Sequence, residues 1–247
     1  MNTTKKHLIT KIAGTLLFVV LALSVVYAFS SYLKAPVVNV DGPPSLKVKS
    51  DFLLMIAQCV LGLGVMMVPR VLECKWKLTL SDVVILLYYA FLFCSIYLGE
   101  VRCFYYYVPH WDTVLHCVSG LMLGALAFVV VDALNEDKNI SIKLSPLFVA
   151  LFAFCFSLAG GAIWEIYEFT LDSVMGLNMQ KHTTEAGVGL PGTVALADTM
   201  KDIIVDALSA LVVAITGYFV LRRKRKLLVN KTSDQECEAY REFVCTK

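Results

Sequence analysis

A chain of 247 residues that is 58% hydrophobic and only 17% charged does not have the composition of a water-soluble domain, which carries about a quarter charged residues. A few spanning helices and their loops use up this length, which excludes a separate soluble domain of ordinary size. The formal net charge of +2 says little by itself, because in a membrane protein the placement of basic residues carries the information.

In chain order, apolar segments fall at about 12–33, 52–69, 82–99, 112–134, 145–171 and 199–221, each near the roughly 20 residues needed to cross the hydrocarbon as a helix. The expected fold is an all-α polytopic membrane bundle of about six transmembrane helices. Residues 1–34 give an N-terminal spanning helix, 35–230 the membrane bundle and 231–247 a mixed-charge cytoplasmic tail. Lys5, Lys6 and Lys11 precede the first segment, but its apolar run of about 22 residues exceeds the 7–15 of a secretory signal core, so it is read as a span.

"LRRKRK" at 221–226 abuts the last segment, and Lys/Arg next to helix ends mark the cytoplasmic side. With six crossings both termini are then cytoplasmic. Arg70, Lys75, Lys77, Lys138 and Lys143 fall in the inner connections, whereas the third-to-fourth and fifth-to-sixth outer connections hold only Arg102 and Lys181. The first outer loop departs from the trend with Lys34, Lys47 and Lys49, and its "APVVNVDGPPS" reads as an extended segment with turns. This distribution also excludes nucleic acid as the reason for the basic cluster, with anionic lipid contact a secondary role. The eight cysteines form no Cys-x-x-Cys pair, so neither a disulfide framework nor a thiolate zinc site is indicated.

The chemistry lies in the last three segments. The fourth begins "WDTVLH", placing Asp112 and His116 four residues apart on one helical face. The nineteen uncharged residues of 145–163 lead into "WEIYEFTLD", where Glu165, Glu168 and Asp172 again share a face. "ADTMKDIIVDALSA" sets Asp198, Asp202 and Asp206 at successive i+4 positions, and Glu100 closes the third segment at the same level. All of these faces point to the outer leaflet.

Asp112 and Asp198 lie in expected first turns, where an acid caps free amides. Glu165 and Asp206 lie about 10–12 Å further in at 1.5 Å per residue, beyond the reach of capping. Ionised acids at membrane depth need compensation: protonation, a basic partner among His116, Lys201 and Arg102, or a bound cation. The bases are too few, which leaves a protonated network, a cation or acids confined to the interface. Carboxylates with one imidazole suit a hard divalent ion such as Mg, Mn or Zn.

Gly120, Gly124, Ala210, Ala214 and Gly217 make small-xxx-small patterns that let helices approach closely, and Gly160 and Gly161 precede Trp164. Tyr105, Tyr106, Tyr107 and Trp111 read as an aromatic belt at the outer interface. The long outer connection 173–197 is rich in glycine, and its Gln180, His182 and Glu185 could fold over the acids. No P-loop, dinucleotide fingerprint, nucleophile elbow or HExxH motif occurs, and Glu-x-x-Glu replaces the Glu-x-x-His of ferritin-like di-iron bundles.

At "PHWDTVLHCVSGLMLG", "LSPLFVALFAFCFSLAGGAIWEIYEF", "LNMQ" and "DTMKDIIVDALSAL" the sequence resembles the YjdF family of bacterial inner-membrane proteins over about residues 80–222. The resemblance rests on Trp111, Asp112, His116, Trp164, Glu165, Glu168, Gln180, Asp198, Asp202 and Asp206. It implies a multi-pass protein of the bacterial cytoplasmic membrane and no particular activity. A looser similarity is to VanZ-like resistance proteins.

Three functions follow as expectations. In the first, Asp112, His116, Glu168 and Asp202 hold a divalent metal and Glu165 and Asp206 act catalytically on a phosphoryl or carbonyl group of a lipid-linked envelope substrate, with Asp172, Gln180, Asp198, Trp111 and Trp164 as accessory residues. In the second, the same acids carry a cation or protons across the membrane. In the third, the site is a structural clasp in an envelope stress or resistance protein.

Overall fold

The structure, a computed structural model, describes residues 3–37, 47–76, 80–136, 144–184 and 188–245. The described residues form α1 (Thr3–Lys34), α2 (Lys49–Val65), α3 (Val68–Trp76), α4 (Asp82–Leu92), a π-helical continuation of α4 (Phe93–Val101), α5 (Phe104–Tyr107), α6 (Trp111–Glu136), α7 (Pro146–Met175) and α8 (Gly192–Cys245). There is no strand among them, only an isolated antiparallel bridge between Thr183 and Gly189. Six stretches are long and apolar enough to cross a membrane: Leu8–Lys34, Lys49–Lys75, Asp82–Val101, Trp111–Leu134, Pro146–Met175 and Gly192–Leu227. The expected all-α membrane bundle of six spans is the fold. The segment expected to be extended at 35–45 lies, beyond residue 37, outside the described residues, as do Lys77, Lys138, Lys143 and Glu185.

Local sequence sets the helix ends. Ser81 and Ser145 are N-caps whose side chains accept from the Val84 and Phe148 amides, and Pro146 occupies the first turn of α7, where no amide partner is needed. Gly176, at φ +64°, ends α7 in the left-handed conformation that glycine adopts without a Cβ penalty. α8 begins at Gly192, seven residues before the expected 199, so Asp198 lies in its second turn rather than its first. α8 also runs on to Cys245, so the segment 231–245 is helical.

Packing divides the helices into two groups. α1, α2 and α4 surround Leu17, Leu21, Ala28, Met55, Cys59, Leu92 and Ile96. α6, α7 and α8 meet through small residues. A Cβ added at Gly120 would stand 2.9 Å from the Ser209 Cβ and 3.2 Å from the Asp206 carbonyl, and one at Gly124 3.2 Å from the Val213 Cβ. The hydroxyl of Ser157 on α7 donates to the Gly120 carbonyl on α6 at 2.7 Å. Close backbone approach of this kind is how helices associate where lipid is as apolar as leucine. Large apolar side chains such as Leu16, Leu23, Leu147, Ile163 and Leu208 remain on the outside, as contact with a lipid bilayer requires.

The two ends of the bundle differ. Glu100, Asp112, Glu165, Glu168, Asp172, Asp198, Asp202 and Asp206 collect at one, and Arg222, Arg223, Lys224, Arg225 and Lys226 at the other. Glu165 lies about 29 Å along α7 from Pro146 and Asp206 about 24 Å back along α8 from Arg222. Against a hydrocarbon thickness of about 30 Å, both lie just beneath the headgroups at the acidic end, nearer the surface than the sequence pattern alone suggests.

A buried carboxylate and histidine cluster

His116, one turn into α6, is 6% exposed and points between α7 and α8. Its Nδ1 lies 3.1 Å from Asp206 Oδ2. A carboxylate accepts, so Nδ1–H donates to Asp206, the kind of contact that orients a metal-ligating histidine and leaves Nε2 as the nitrogen that would bind a cation once it carries no proton. Nε2 faces Glu165 Oε1 at 3.6 Å and Asp112 Oδ1 at 3.8 Å, both beyond hydrogen-bond length.

Glu165 and Asp202, at 4% and 2% exposure, complete the cluster. One ligand atom from each of His116, Glu165 and Asp202 falls within 4.8 Å of the others. Glu165 Oε1 and Asp202 Oδ1 are buried and accept no hydrogen bond, a costly condition for a carboxylate oxygen away from water. Thr199 hydrogen-bonds the Glu165 carboxylate and accepts from Gln180 at 2.8 Å.

Asp206 enters this space because α7 has glycine opposite it: a Cβ on Gly161 would overlap the Asp206 carboxylate. Ser119 Oγ, 2.9 Å from its own helix's His116 carbonyl, also lies 3.4 Å from Asp206 Oδ1.

Asp112, Asp198 and Asp202 make a second carboxylate group, and it is closed by Lys181. The Lys181 ammonium donates to Asp112 Oδ2 at 2.6 Å and to both Asp198 oxygens at 3.3 Å. Of the three bases expected to partner the acids, His116 does so, 3.1 Å from Asp206, whereas Lys201 and Arg102 are exposed; the base that closes this second group is Lys181, outside that expectation. It is brought in by the loop after α7. The Asp172 carboxylate accepts from the amides of Met179 and Gln180 at 2.8 and 2.9 Å and lies 3.4 Å from His182 Nδ1. Leu177 is 1% exposed, and Lys181 itself adopts a left-handed φ of +51°. The loop thus folds over the acids, with Gln180 and His182 in place.

Despite the desolvation that lowers it, the pKa of Lys181 is raised above the ordinary lysine value by Asp112 and Asp198. A raised amine pKa contributes stability that is fully present below the unfolded value near 10.4 and lost as pH rises through the folded one. The loop contact is therefore expected to be constant from pH 6 to 10. Combining Asp112→Asn with Asp198→Asn removes both charges facing the amine. The expected result is at least about tenfold faster trypsin cleavage after Lys181, because cleavage follows the population of the open loop.

The remaining candidates stand around this centre. Glu168 Oε1 accepts from the Trp164 indole at 2.8 Å and faces a cavity of about 340 Å³ that also reaches Glu100, Tyr105, Asp112, His116, Lys181 and Asp206. Trp111 stacks edge-on against Phe104, and its indole donates to the Cys94 carbonyl at 3.3 Å, a carbonyl of the π-helical turn. Such turns release carbonyls from regular pairing and recur at functional sites. Burial, then the charges of Asp112, Glu100 and Glu168, push the Tyr105 phenol well above its usual range, so it is a hydrogen-bond donor in the cavity.

The chain belongs to a family described as predicted membrane proteins (DUF2238), whose family model matches residues 12–223. The YjdF-like reading is consistent with this family, and the match extends well before residue 80, taking in the first three spans. The similarity to VanZ-like proteins finds no such support. No curated protein and no solved structure matches the chain.

Proposed function

We propose that the protein is a membrane-embedded enzyme in which His116, Glu165 and Asp202 hold a divalent cation beneath the surface of one leaflet, and that it acts on a phosphoryl or carbonyl group of a lipid-linked substrate. One observation carries the reading: two buried carboxylate oxygens, Glu165 Oε1 and Asp202 Oδ1, lack hydrogen-bond partners beside the His116 imidazole, whose other nitrogen is held by Asp206. Oxygen ligands with one imidazole suit magnesium, manganese or zinc. A cation there would polarise the substrate oxygen or activate water.

The roles then divide differently from the expectation drawn from spacing. Glu165 becomes a ligand. Asp206, behind the imidazole, is a positioning residue that fixes the tautomer and ring orientation of His116. Glu168, held by Trp164 and facing the cavity, is the spare carboxylate able to serve as general base. Asp112 and Asp198 are neutralised by Lys181, and Asp172 and Gln180 organise the loop that carries it. The cavity favours chemistry on one side over transport: among the described residues, its lining toward the basic end, from Val65 and Pro69 to Val84 and Leu126, contains no Asp, Glu, Lys, Arg or His.

Metal analysis and turnover test the reading together. Purified wild type is expected to hold about one divalent cation per chain and, with it, to release inorganic phosphate from an alkyl diphosphate. Glu168→Gln is expected to keep the cation and lose about 10²- to 10⁴-fold in rate. A chain that takes up no stoichiometric magnesium, manganese or zinc contradicts the proposal.

We further place the acidic end on the outer face of a bacterial cytoplasmic membrane, since the basic cluster at the other end favours the cytosol. Cys74, exposed near that basic end, is then protected from a membrane-impermeant maleimide in intact cells and labelled in inverted vesicles. Labelling in intact cells would reverse the orientation.

A further inference from the structure

We infer that the cleft between the two helix groups seats a membrane amphiphile with a single apolar chain, its head at the acidic end and its chain running toward the basic end between α2 and α4 on one wall and α6 and α7 on the other. For the chemistry of the head this rests on the cation reading above; the seat for the chain does not.

The lining is sorted by depth. At the acidic end the cavity is walled by Glu100, Tyr105, Asp112, His116, Glu168 and Lys181; Gln58, Ser95 and Ser119 follow at mid-depth among apolar side chains, and toward the basic end stand Leu61, Leu72, Ile85, Leu123 and Leu126. On α6 alone the lining runs from Asp112 to Leu126, about 21 Å of helix. A water-filled conduit would keep open polar groups to its far end, where the Tyr88 hydroxyl of this lining is instead bound to the Val65 carbonyl at 2.6 Å, and a buried core would show no cavity. A polar chamber continuing into an apolar slot has the form of an amphiphile.

Size narrows the class. The volume of about 340 Å³ stands at the lower end of the roughly 300–1,000 Å³ of small-molecule sites, which favours an amphiphile with one chain. The position also fits, because the acids lie just beneath the headgroup level, where a lipid of that leaflet presents its head. Among so many carboxylates a phosphate head is tolerated only through the cation, Lys181 and the Tyr105 hydroxyl, whereas a cationic head needs none of these. Glu100 and Tyr105 come from the α4 side of the cleft, so both helix groups build the site.

Photolabelling in nanodiscs tests this with an alkyl phosphate carrying a diazirine on its chain, in manganese or in chelator. In manganese, the expected crosslinks fall on peptides containing Leu61 and Leu126. Leu126→Trp and, from the opposite wall, Leu61→Trp are expected to reduce them at least about tenfold while the bound cation stays at the wild-type level. Labels spread over lipid-facing positions such as Leu147 and Leu208, or cavity labels indifferent to both tryptophans, overturn the inference. Bound cation without cavity labelling removes the amphiphile seat and leaves the cation site. Cavity labelling that is unchanged in chelator, in a chain that binds no cation, removes the proposed function and keeps the seat. An alkyl trimethylammonium probe labelling the same peptides better than the phosphate would support the seat and reverse the charge of its head.

Discussion

Glu165→Gln is expected to raise the melting temperature of the purified protein in chelator and to lower it, relative to wild type, in saturating manganese. The reversal follows from two opposed terms. Without a cation, wild type holds Glu165 and Asp202 side by side with an oxygen of each lacking a hydrogen-bond partner, and a neutral amide of the same shape relieves that repulsion and desolvation. With a cation, wild type gains RT ln(1 + [L]/Kd), about 2.7 kcal/mol at a hundredfold excess over Kd, and the variant loses that gain with its ligand. Asp202→Asn should behave alike. Scanning calorimetry or intrinsic fluorescence in the two buffers reads the crossing. A variant less stable than wild type in both buffers would mean that Glu165 is held by structure alone.

The second large effect concerns a residue with no side chain. Gly161→Ala in the interior of a helix would ordinarily stabilise by about 1 kcal/mol. Here the new Cβ meets the Asp206 carboxylate, and relief requires either the carboxylate to leave His116 Nδ1 or α7 to shift from α8. The expected cost is about 1–3 kcal/mol, typical of overpacking, with a 10- to 100-fold loss of cation affinity from disturbing the group that orients the imidazole. Gly64→Ala is the control, because nothing stands within 4 Å of its added Cβ; it should be neutral or mildly stabilising. Equal behaviour of the two alanines would show that α7 and α8 approach one another less closely than this packing requires.

The spans and the acidic face were readable because hydropathy reports length and the 3.6-residue repeat reports direction. Asp112 with His116, Glu165 with Glu168, and Asp198 with Asp202 and Asp206 share faces by spacing alone, and the structure brings His116, Glu165, Asp202 and Asp206 together. Division of labour among them was not readable. Whether Glu165 or Asp206 stands behind the imidazole depends on which neighbour supplies the glycine, and in the sequence Gly161 is only a small residue before Trp164.

Lys181 is not legible as a counter-ion for a related reason. A lone lysine in a glycine-rich loop carries no periodicity, and its placement depends on the turn that Asp172 organises seven residues and more downstream through the Met179 and Gln180 amides. The same limit hides part of the first helices' share in the site: the level of Glu100 is legible from its place at the end of the third segment, but its approach to the cavity with Tyr105 is not. Glu100 and Tyr105 reach the cavity from a π-helical turn and a short helix beyond it, geometries with no hydropathy signature. The start of α8 is not legible because its first six residues, "GTVALA", are neither charged nor long enough to separate from the loop before it.

Anomalous diffraction from crystals soaked in manganese tests the central claim most directly. The account predicts one strong peak within bonding distance of His116 Nε2, Glu165 Oε1 and Asp202 Oδ1, absent in Glu165→Gln. Saturating manganese that leaves this position without a peak, or that marks only exposed carboxylates, would contradict it.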